Sequence, residues 1–170
     1  MQNSKIALLA INVFGGVAVI GSYIFGLNAQ PGGADALWGG VPENIRLVYT
    51  ISMLLAAAGY FAFLYYLLLK LNPPETRICG RFGYGVFYPI FVAILLPSAV
   101  WMPFTNVYVS NPEALTWTGI RVVLFLVGLG SLSLLAALLK VKTDVKSLAR
   151  NLAIIGAAYF VFHTLVLDAI

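Results

Sequence analysis

Charged side chains are scarce in this chain. Asp, Glu, Lys and Arg make up only 9% of its 170 residues, whereas hydrophobic residues make up 61%. A soluble domain carries about 25% charged residues, so the composition excludes a water-soluble fold. The length suffices for one compact domain and leaves no room for a second.

The residue types that build catalytic and metal sites are also few. The chain has one cysteine, Cys79, and one histidine, His163. A lone thiol forms no intramolecular disulfide, and neither residue has a second thiolate or imidazole to share a metal. The sequence also lacks a glycine-rich phosphate loop, an HExxH helix, a nucleophile elbow and a CxxC pair. We therefore expect no metal site and leave any cofactor unknown. An intramembrane enzyme is the last choice, because no nucleophile–base pair is visible.

Long apolar runs fill most of the sequence. Five of them cover residues 6–27, 45–69, 84–104, 115–139 and 148–167. A helix needs about 20 apolar residues to cross a bilayer core of roughly 30 Å. Strands of a membrane barrel would alternate apolar and polar residues, whereas these runs are continuous. The sequence thus predicts an all-α polytopic membrane protein, with a compact five-transmembrane-helix bundle as a single domain over residues 1–170.

The basic residues predict an orientation for this bundle. If the five runs span in order, eight of the ten Lys and Arg residues share the side of the N-terminus: Lys5, Lys70, Arg77, Arg81, Lys140, Lys142, Lys146 and Arg150. The positive-inside rule then places the N-terminus in the cytoplasm and the C-terminus outside, as in a bacterial inner membrane or its equivalent. Orientation and anionic lipid explain the net charge of +4 better than nucleic acid does.

Prolines and small residues mark special points in the spans. The third run holds Pro89 and Pro97, with Pro103 at its outer end. Each proline removes a backbone donor, so we expect a proline kink that is either a fixed bend or a moving gate. Small residues at four-residue spacing permit close helix contact and predict internal seams, or else an oligomer interface. They are Ala18, Ser22 and Gly26 in the first run and Ala149, Ala153 and Ala157 in the fifth.

Polar and aromatic residues concentrate toward the outer half of the predicted spans. They give six candidate ligand-binding residues: Arg46, Tyr49, Trp101, Arg121, Tyr159 and His163. His163 shares a helix face with Tyr159 and is either a ligand or proton contact or an interfacial residue bonded to a backbone carbonyl.

Arg121 has two interpretations of its own. It either extends back to the lipid headgroups or faces the bundle and pairs with an acid. The candidate acids are Glu43, Glu113 and Asp168. Trp117 lies one helical turn before Arg121, so stacking of indole and guanidinium is a further expectation.

Short motifs accompany this plan. Five spans of this length include a long loop after the first, the sequence WGGVP at 38–42, VYT at 48–50 and Trp101 in the third span. In these features the chain resembles the tryptophan-rich sensory, or translocator, protein family. The resemblance implies a five-helix architecture and carries over no binding residue. The family's paired prolines after the loop tryptophan and its asparagine-rich third and fifth spans are missing from this sequence.

Three functions are compatible with these observations. The first is binding of an apolar or amphipathic small ligand, such as a lipid, sterol or tetrapyrrole, in an outward-facing cavity between spans one, two, three and five. The second is a non-catalytic accessory subunit of a larger membrane complex. The third is a small transporter or channel built by oligomers, with the third span as its gate. The expected partners are membrane lipid, an apolar ligand and a homo-oligomer or larger complex, and no nucleic acid.

Overall fold

The computed structural model describes residues 2–29, 32–38, 40–142 and 147–169. It is 84% helical and contains no strand in these ranges. The long helices are α1 (Gln2–Ala29), α2 (Glu43–Tyr65), α3 (Phe87–Ser110), α4 (Ala114–Lys140) and α5 (Leu148–Val161). Wider π-helical turns continue α2 through Tyr66–Lys70 and α5 through Phe162–Leu167. Short 3-10 helices lie at Gly33–Leu37 and at Tyr84–Val86, directly before α3.

All five helices are long and apolar enough to span a membrane. With their terminal turns they contain 28, 28, 27, 27 and 20 residues, and a bilayer core requires about 20. Their outward surfaces carry large apolar side chains, such as Phe14, which is 76% exposed. Such exposure suits a lipid environment rather than water. The all-helical prediction and the five apolar spans are thus confirmed.

The third span differs from its prediction in the positions of its prolines. Pro89 lies in the first turn of α3, where a proline is tolerated. Pro103 is inside the helix and not at its end, because α3 continues to Ser110. Pro97 leaves the Ala93 carbonyl without its helical donor, and Gly130 of α4 packs directly against this carbonyl. A side chain at Gly130 would block that contact.

The helices pack in the order α1, α3, α4, α5 and α2. Helix α3 lies between α1 and α4, and α5 lies between α4 and α2. The α1 backbone approaches the α2 chain mainly at the π-helical turn Tyr66–Lys70. Although α1 and α2 are consecutive in sequence, a lateral opening therefore remains between them over part of their length.

We call the side of the bundle that holds the start of α1 and the ends of α2 and α4 the basic end, and the opposite side the far end. The described basic residues of the basic end are Lys5, Lys70, Arg77, Arg81, Lys140, Lys142 and Arg150. Backbone hydrogen bonds tie its segments together, since Lys142 N–H donates to the Arg77 carbonyl at 3.0 Å and Ile78 N–H to the Phe82 carbonyl at 2.8 Å. The Tyr84 hydroxyl donates to the Leu67 carbonyl at 3.1 Å.

Aromatic rings fill the core of the half nearer the basic end. Phe63 and Phe91 are fully buried, and their ring centroids lie 6.1 Å apart. Phe160 of α5 contacts Phe63 with centroids at 5.7 Å, and Tyr60 contacts all three rings. The Tyr60 hydroxyl donates to the side-chain carbonyl of buried Asn12 on α1. This bond connects α1 to α2 within the apolar layer, where no water would satisfy either group.

Helices α2 and α5 touch backbone to backbone at one point. A Cβ atom on Gly59 would lie 2.6 Å from the Gly156 carbonyl oxygen, and a Cβ on Gly156 would lie 2.8 Å from the Gly59 Cα. The predicted small-residue faces also lie partly inside the bundle. Ala153 and Ala157 are fully buried, and Gly26 packs on Met102 of α3. Ala18 is exposed and belongs to neither contact.

We expect Gly156→Ala to destabilise the protein, because its new methyl group meets the Gly59 backbone and not a flexible side chain. Overpacking of this kind costs about 1–3 kcal/mol. The thermal midpoint of purified protein in mild detergent measures the effect. Gly21→Ala is the matched control, since a Cβ at Gly21 has no neighbour within 4 Å. Equal midpoints for the two variants would contradict the tight α2–α5 contact.

Candidate ligand pocket

A small pocket opens between the far-end halves of α2 and α5. Its volume is about 190 Å³. Most of its wall is apolar, and two hydroxyl-bearing side chains interrupt it. The lining residues are Val48, Ile51, Ser52, Tyr159, Phe162 and Leu167.

A chain of polar side chains forms the back of this pocket. The Tyr159 hydroxyl donates to Ser52 Oγ at 3.2 Å, and Ser52 Oγ lies 3.0 Å from His163 Nδ1. His163 Nε2 lies 3.7 Å from Asp168 Oδ2. Because Ser52 accepts from Tyr159, its own proton is free for His163 Nδ1. Neutral His163 then carries its proton on Nε2, the nitrogen that faces Asp168.

The spacing of residues along the two helices explains why these side chains meet. Helices α2 and α5 are antiparallel and touch at Gly59 and Gly156. Ser52 lies seven residues from Gly59 toward the far end, and His163 lies seven residues from Gly156 in the same direction. Seven residues are about two helical turns, or about 10 Å, so both side chains return to the shared face at one level.

The π-helical turn at the end of α5 orients the last polar groups. Adjacent residues His163 and Thr164 contact different helices, since Thr164 Oγ1 lies 2.8 Å from Ser131 Oγ on α4. The Asp168 N–H donates to the His163 carbonyl at 3.1 Å across this wide turn. That bond brings the Asp168 carboxyl back beside the imidazole. Single π-helical turns are frequent at functional sites of proteins.

Asp168 is the one acid in contact with this cluster among the described residues. Its side chain is 33% exposed, and burial of the remainder raises the pKa of Asp168 to about 7. The carboxyl also lies within electrostatic range of the Tyr23 hydroxyl on α1. Asp168 thereby lies between the polar groups of α5 and those of α1.

Two of the six predicted site residues belong to this pocket. Tyr159 lines it, and His163 supports Ser52 from behind. Arg46 and Tyr49 lie near the loop between α1 and α2, where both contact the Trp38 ring. Arg46 also pairs with exposed Asp35 at 3.3 Å.

Trp101 and Arg121 occupy other places in the bundle. Trp101 Nε1 donates to the Tyr23 hydroxyl at 3.2 Å between α1 and α3, and Trp101 lines neither of the two pockets that we describe. Arg121 is exposed on α4, and within the described residues it forms no ion pair. Its expected pairing with an acid is therefore not found, whereas its exposure suits the headgroup alternative. The expected stacking of Trp117 on Arg121 is replaced by packing of Trp117 on Tyr108, with ring centroids at 5.4 Å.

Ser52 is the hydrogen-bonding residue of this pocket that the sequence analysis missed, along with the apolar lining residues. It is 3% exposed and 111 residues away from its partner His163 in sequence. Its signal was the run of small residues Ser52, Ala56 and Gly59 on one face of α2, which marks a helix contact.

The serine–histidine contact has little of the machinery that acyl transfer requires. Ser52 lies well inside α2, where neighbouring backbone N–H groups are already bonded within the helix. The described backbone N–H groups of α2 beside Ser52 Oγ are therefore engaged and do not form an oxyanion hole. In the described part of the chain, no three His, Cys, Asp or Glu side chains cluster as metal ligands would.

Comparisons with protein-family models, curated proteins and solved structures find no match for this chain. The resemblance to the tryptophan-rich sensory protein family therefore stays a prediction based on the short motifs and the five spans.

The raised pKa of Asp168 predicts a pH-dependent stability. The carboxyl's ordinary pKa is 3.8 and its folded pKa is about 7, so the folded protein binds the proton more tightly than the unfolded chain does. The free energy of unfolding should therefore fall as pH rises from about 4 to about 7 and then level off. Asp168→Asn removes this contribution and should gain stability relative to the unmodified protein over that interval. Thermal midpoints of both proteins across pH 4–8 test the prediction, and parallel curves would contradict it.

Proposed function

We propose that this protein binds a small single-chain amphiphile in the pocket between α2 and α5. The observation that carries the proposal is the position of two hydroxyl groups in an otherwise apolar wall. Ser52 and Tyr159 both line the pocket, and each retains hydrogen-bonding capacity beyond the bond that joins them. Few polar groups in a mostly apolar recess are typical of small-molecule sites.

The size of the pocket narrows the class of ligand. Its volume of about 190 Å³ is below that of pockets for drug-sized ligands, which hold about 300–1,000 Å³. A dry cavity of about 150 Å³ holds benzene. This volume favours the polar end of a single-chain lipid or one ring of a sterol over a whole tetrapyrrole. Of the ligands expected from the sequence, the proposal therefore keeps lipids and sterols and leaves out the tetrapyrrole.

The polar groups favour a ligand with a hydroxyl or a carbonyl. Ser52 Oγ accepts one proton from Tyr159 and donates its own toward His163, so it has one further acceptor position. The Tyr159 oxygen is also an acceptor. A ligand hydroxyl can donate to either oxygen, and a ligand carbonyl can take the Tyr159 proton in place of Ser52. Apolar contacts with Val48, Ile51 and Phe162 would hold the chain.

A thermal-shift panel tests the proposed binding. We expect a fatty alcohol and a fatty acid methyl ester to raise the thermal midpoint more than an alkane of equal length does. A porphyrin should give no shift through this pocket. The proposal is wrong if no member of the panel stabilises the protein.

Two substitutions identify the pocket as the place of binding. Ser52→Ala and Tyr159→Phe should each weaken binding of the fatty alcohol about two- to tenfold, because one hydrogen bond contributes about 0.5–1.5 kcal/mol. Ser133→Ala is the matched control, since Ser133 is exposed on α4 and, among the described residues, its hydroxyl donates to the Leu129 carbonyl of its own helix. Equal weakening by Ser133→Ala would rule out this pocket.

We also propose that the basic end faces the cytoplasm of a bacterial inner membrane or its equivalent, with the C-terminus outside. The distribution of basic residues supports this orientation. Seven described Lys and Arg residues lie at the basic end, whereas Arg46 and Arg121 lie elsewhere. In whole cells, a membrane-impermeant maleimide should leave exposed Cys79 unlabelled and should label it in inverted vesicles. A protein that carries Cys79→Ser, together with Gly40→Cys in the loop between α1 and α2, should be labelled in whole cells and unlabelled in inverted vesicles. Labelling of Cys79 in intact cells would overturn the orientation.

A further inference from the structure

A second, larger pocket lies at the basic end, on the lateral opening between α1 and α2. We call it the α1–α2 groove, and its volume is about 620 Å³. Gln2, Lys5, Ile6 and Leu9 of α1 form one wall. The other wall belongs to α2 and its π-helical turn and consists of Phe61, Leu64, Tyr65, Leu68 and Leu69.

The groove changes in polarity along its length. Gln2 and Lys5 lie at the basic end of the groove, whereas Leu9 and Phe61, both exposed, lie further along the two helices. Residues 61–69 extend about 12 Å along the helix axis, at about 1.5 Å per residue. The walls of the groove are therefore almost wholly apolar, and Gln2 and Lys5 lie at its basic-end margin. This order matches a lipid chain whose headgroup lies at the basic end.

The positive charge at the opening has no acidic neighbour on its own helix turn. Lys5 is half-buried in the groove wall, and the first turn of α1 contains no acidic residue. The positive end of a helix dipole disfavours a cation at this place, so an anion from outside the chain would be stabilised there. Lys70 adds a second positive charge, because its Nζ lies 5.5 Å from the ring centroid of Tyr65 in the opposite wall.

Acidic side chains that could pair with Lys5 and Lys70 are scarce among the described residues of the basic end. Within residues 2–29, 32–38, 40–142 and 147–169, Glu75 is the one acidic residue at that end, and it is exposed. The five described basic residues elsewhere at the basic end keep the local potential positive. Charge complementarity thus selects a negatively charged headgroup over a zwitterionic one.

We propose that the α1–α2 groove is a binding site for one anionic phospholipid. One acyl chain lies between α1 and α2 against Leu9 and Phe61, and the phosphate lies at the opening, where Lys5 and Lys70 approach it. The site differs from the lipid that surrounds any membrane protein, because the chain is held between two helices in a recess as large as a small-molecule pocket. It is independent of the pocket between α2 and α5, which lies at the far end.

Native mass spectrometry of the full chain from detergent tests the headgroup. With equal concentrations of phosphatidylglycerol and phosphatidylcholine, we expect phosphatidylglycerol to be retained about thirtyfold more, since each of the two lysines contributes about 1 kcal/mol near an anionic headgroup. Lys5→Gln should lower this preference to about fivefold, because Lys70 remains. Lys142→Gln removes an exposed charge of the same end outside the groove and should leave the preference unchanged.

A second pair of variants tests the place of the acyl chain. Leu9→Trp fills the interior of the groove and should reduce retention of both lipids. Phe14→Trp alters a lipid-facing position of the same helix outside the groove, and it should retain both. The proposal is overturned if the unmodified protein shows no preference or if Lys5→Gln leaves the preference unchanged. It is also overturned if Lys142→Gln lowers the preference as much as Lys5→Gln does, or if Leu9→Trp and Phe14→Trp retain lipid alike.

Discussion

The backbone contact between Gly59 and Gly156 brings α2 and α5 close enough for their side chains to form one polar cluster. In a bilayer the hydrophobic effect does not drive helices together, so close packing and hydrogen bonds must do so. Both glycines lack a Cβ at the crossing, and a substituent on either would meet the other backbone. Two turns beyond this crossing, Ser52 meets His163. The pocket between the helices is therefore a consequence of where the glycines lie.

Different side chains pack the two halves of the bundle. Toward the basic end, packed rings such as Phe63 and Phe91 fill the core. The polar atoms of Asn12 and Tyr60 form a hydrogen bond with each other. Toward the far end, hydroxyl groups and one imidazole join Ser52, Tyr159 and His163, beside buried apolar side chains such as Met102. The smaller pocket lies in that polar region, whereas the larger groove lies outside the aromatic core, on the surface between α1 and α2.

The sequence was sufficient to predict the spans, because unbroken hydrophobicity over about 20 residues is typical of helices that cross a bilayer. It was less informative about α3, since Pro103 suggested an end where the helix in fact continues to Ser110. The shared face of Tyr159 and His163 followed from helical spacing. Ser52 joins them from 111 residues away in the sequence, and no local pattern encodes that distance. The π-helical turn that directs His163 and Thr164 toward different helices was equally invisible, because its wider winding depends on tertiary contacts.

The segments at the two ends of the bundle are joined by different kinds of bond. Backbone bonds such as Lys142 N–H to the Arg77 carbonyl join segments at the basic end. At the far end, the ion pair of Arg46 with Asp35 joins the loop to α2, and the Asp35 side chain is 84% exposed. Exposed pairs of this kind contribute little and weaken with salt. A rise in salt concentration would therefore weaken the link between this loop and α2, while the backbone bonds of the basic end would stay intact.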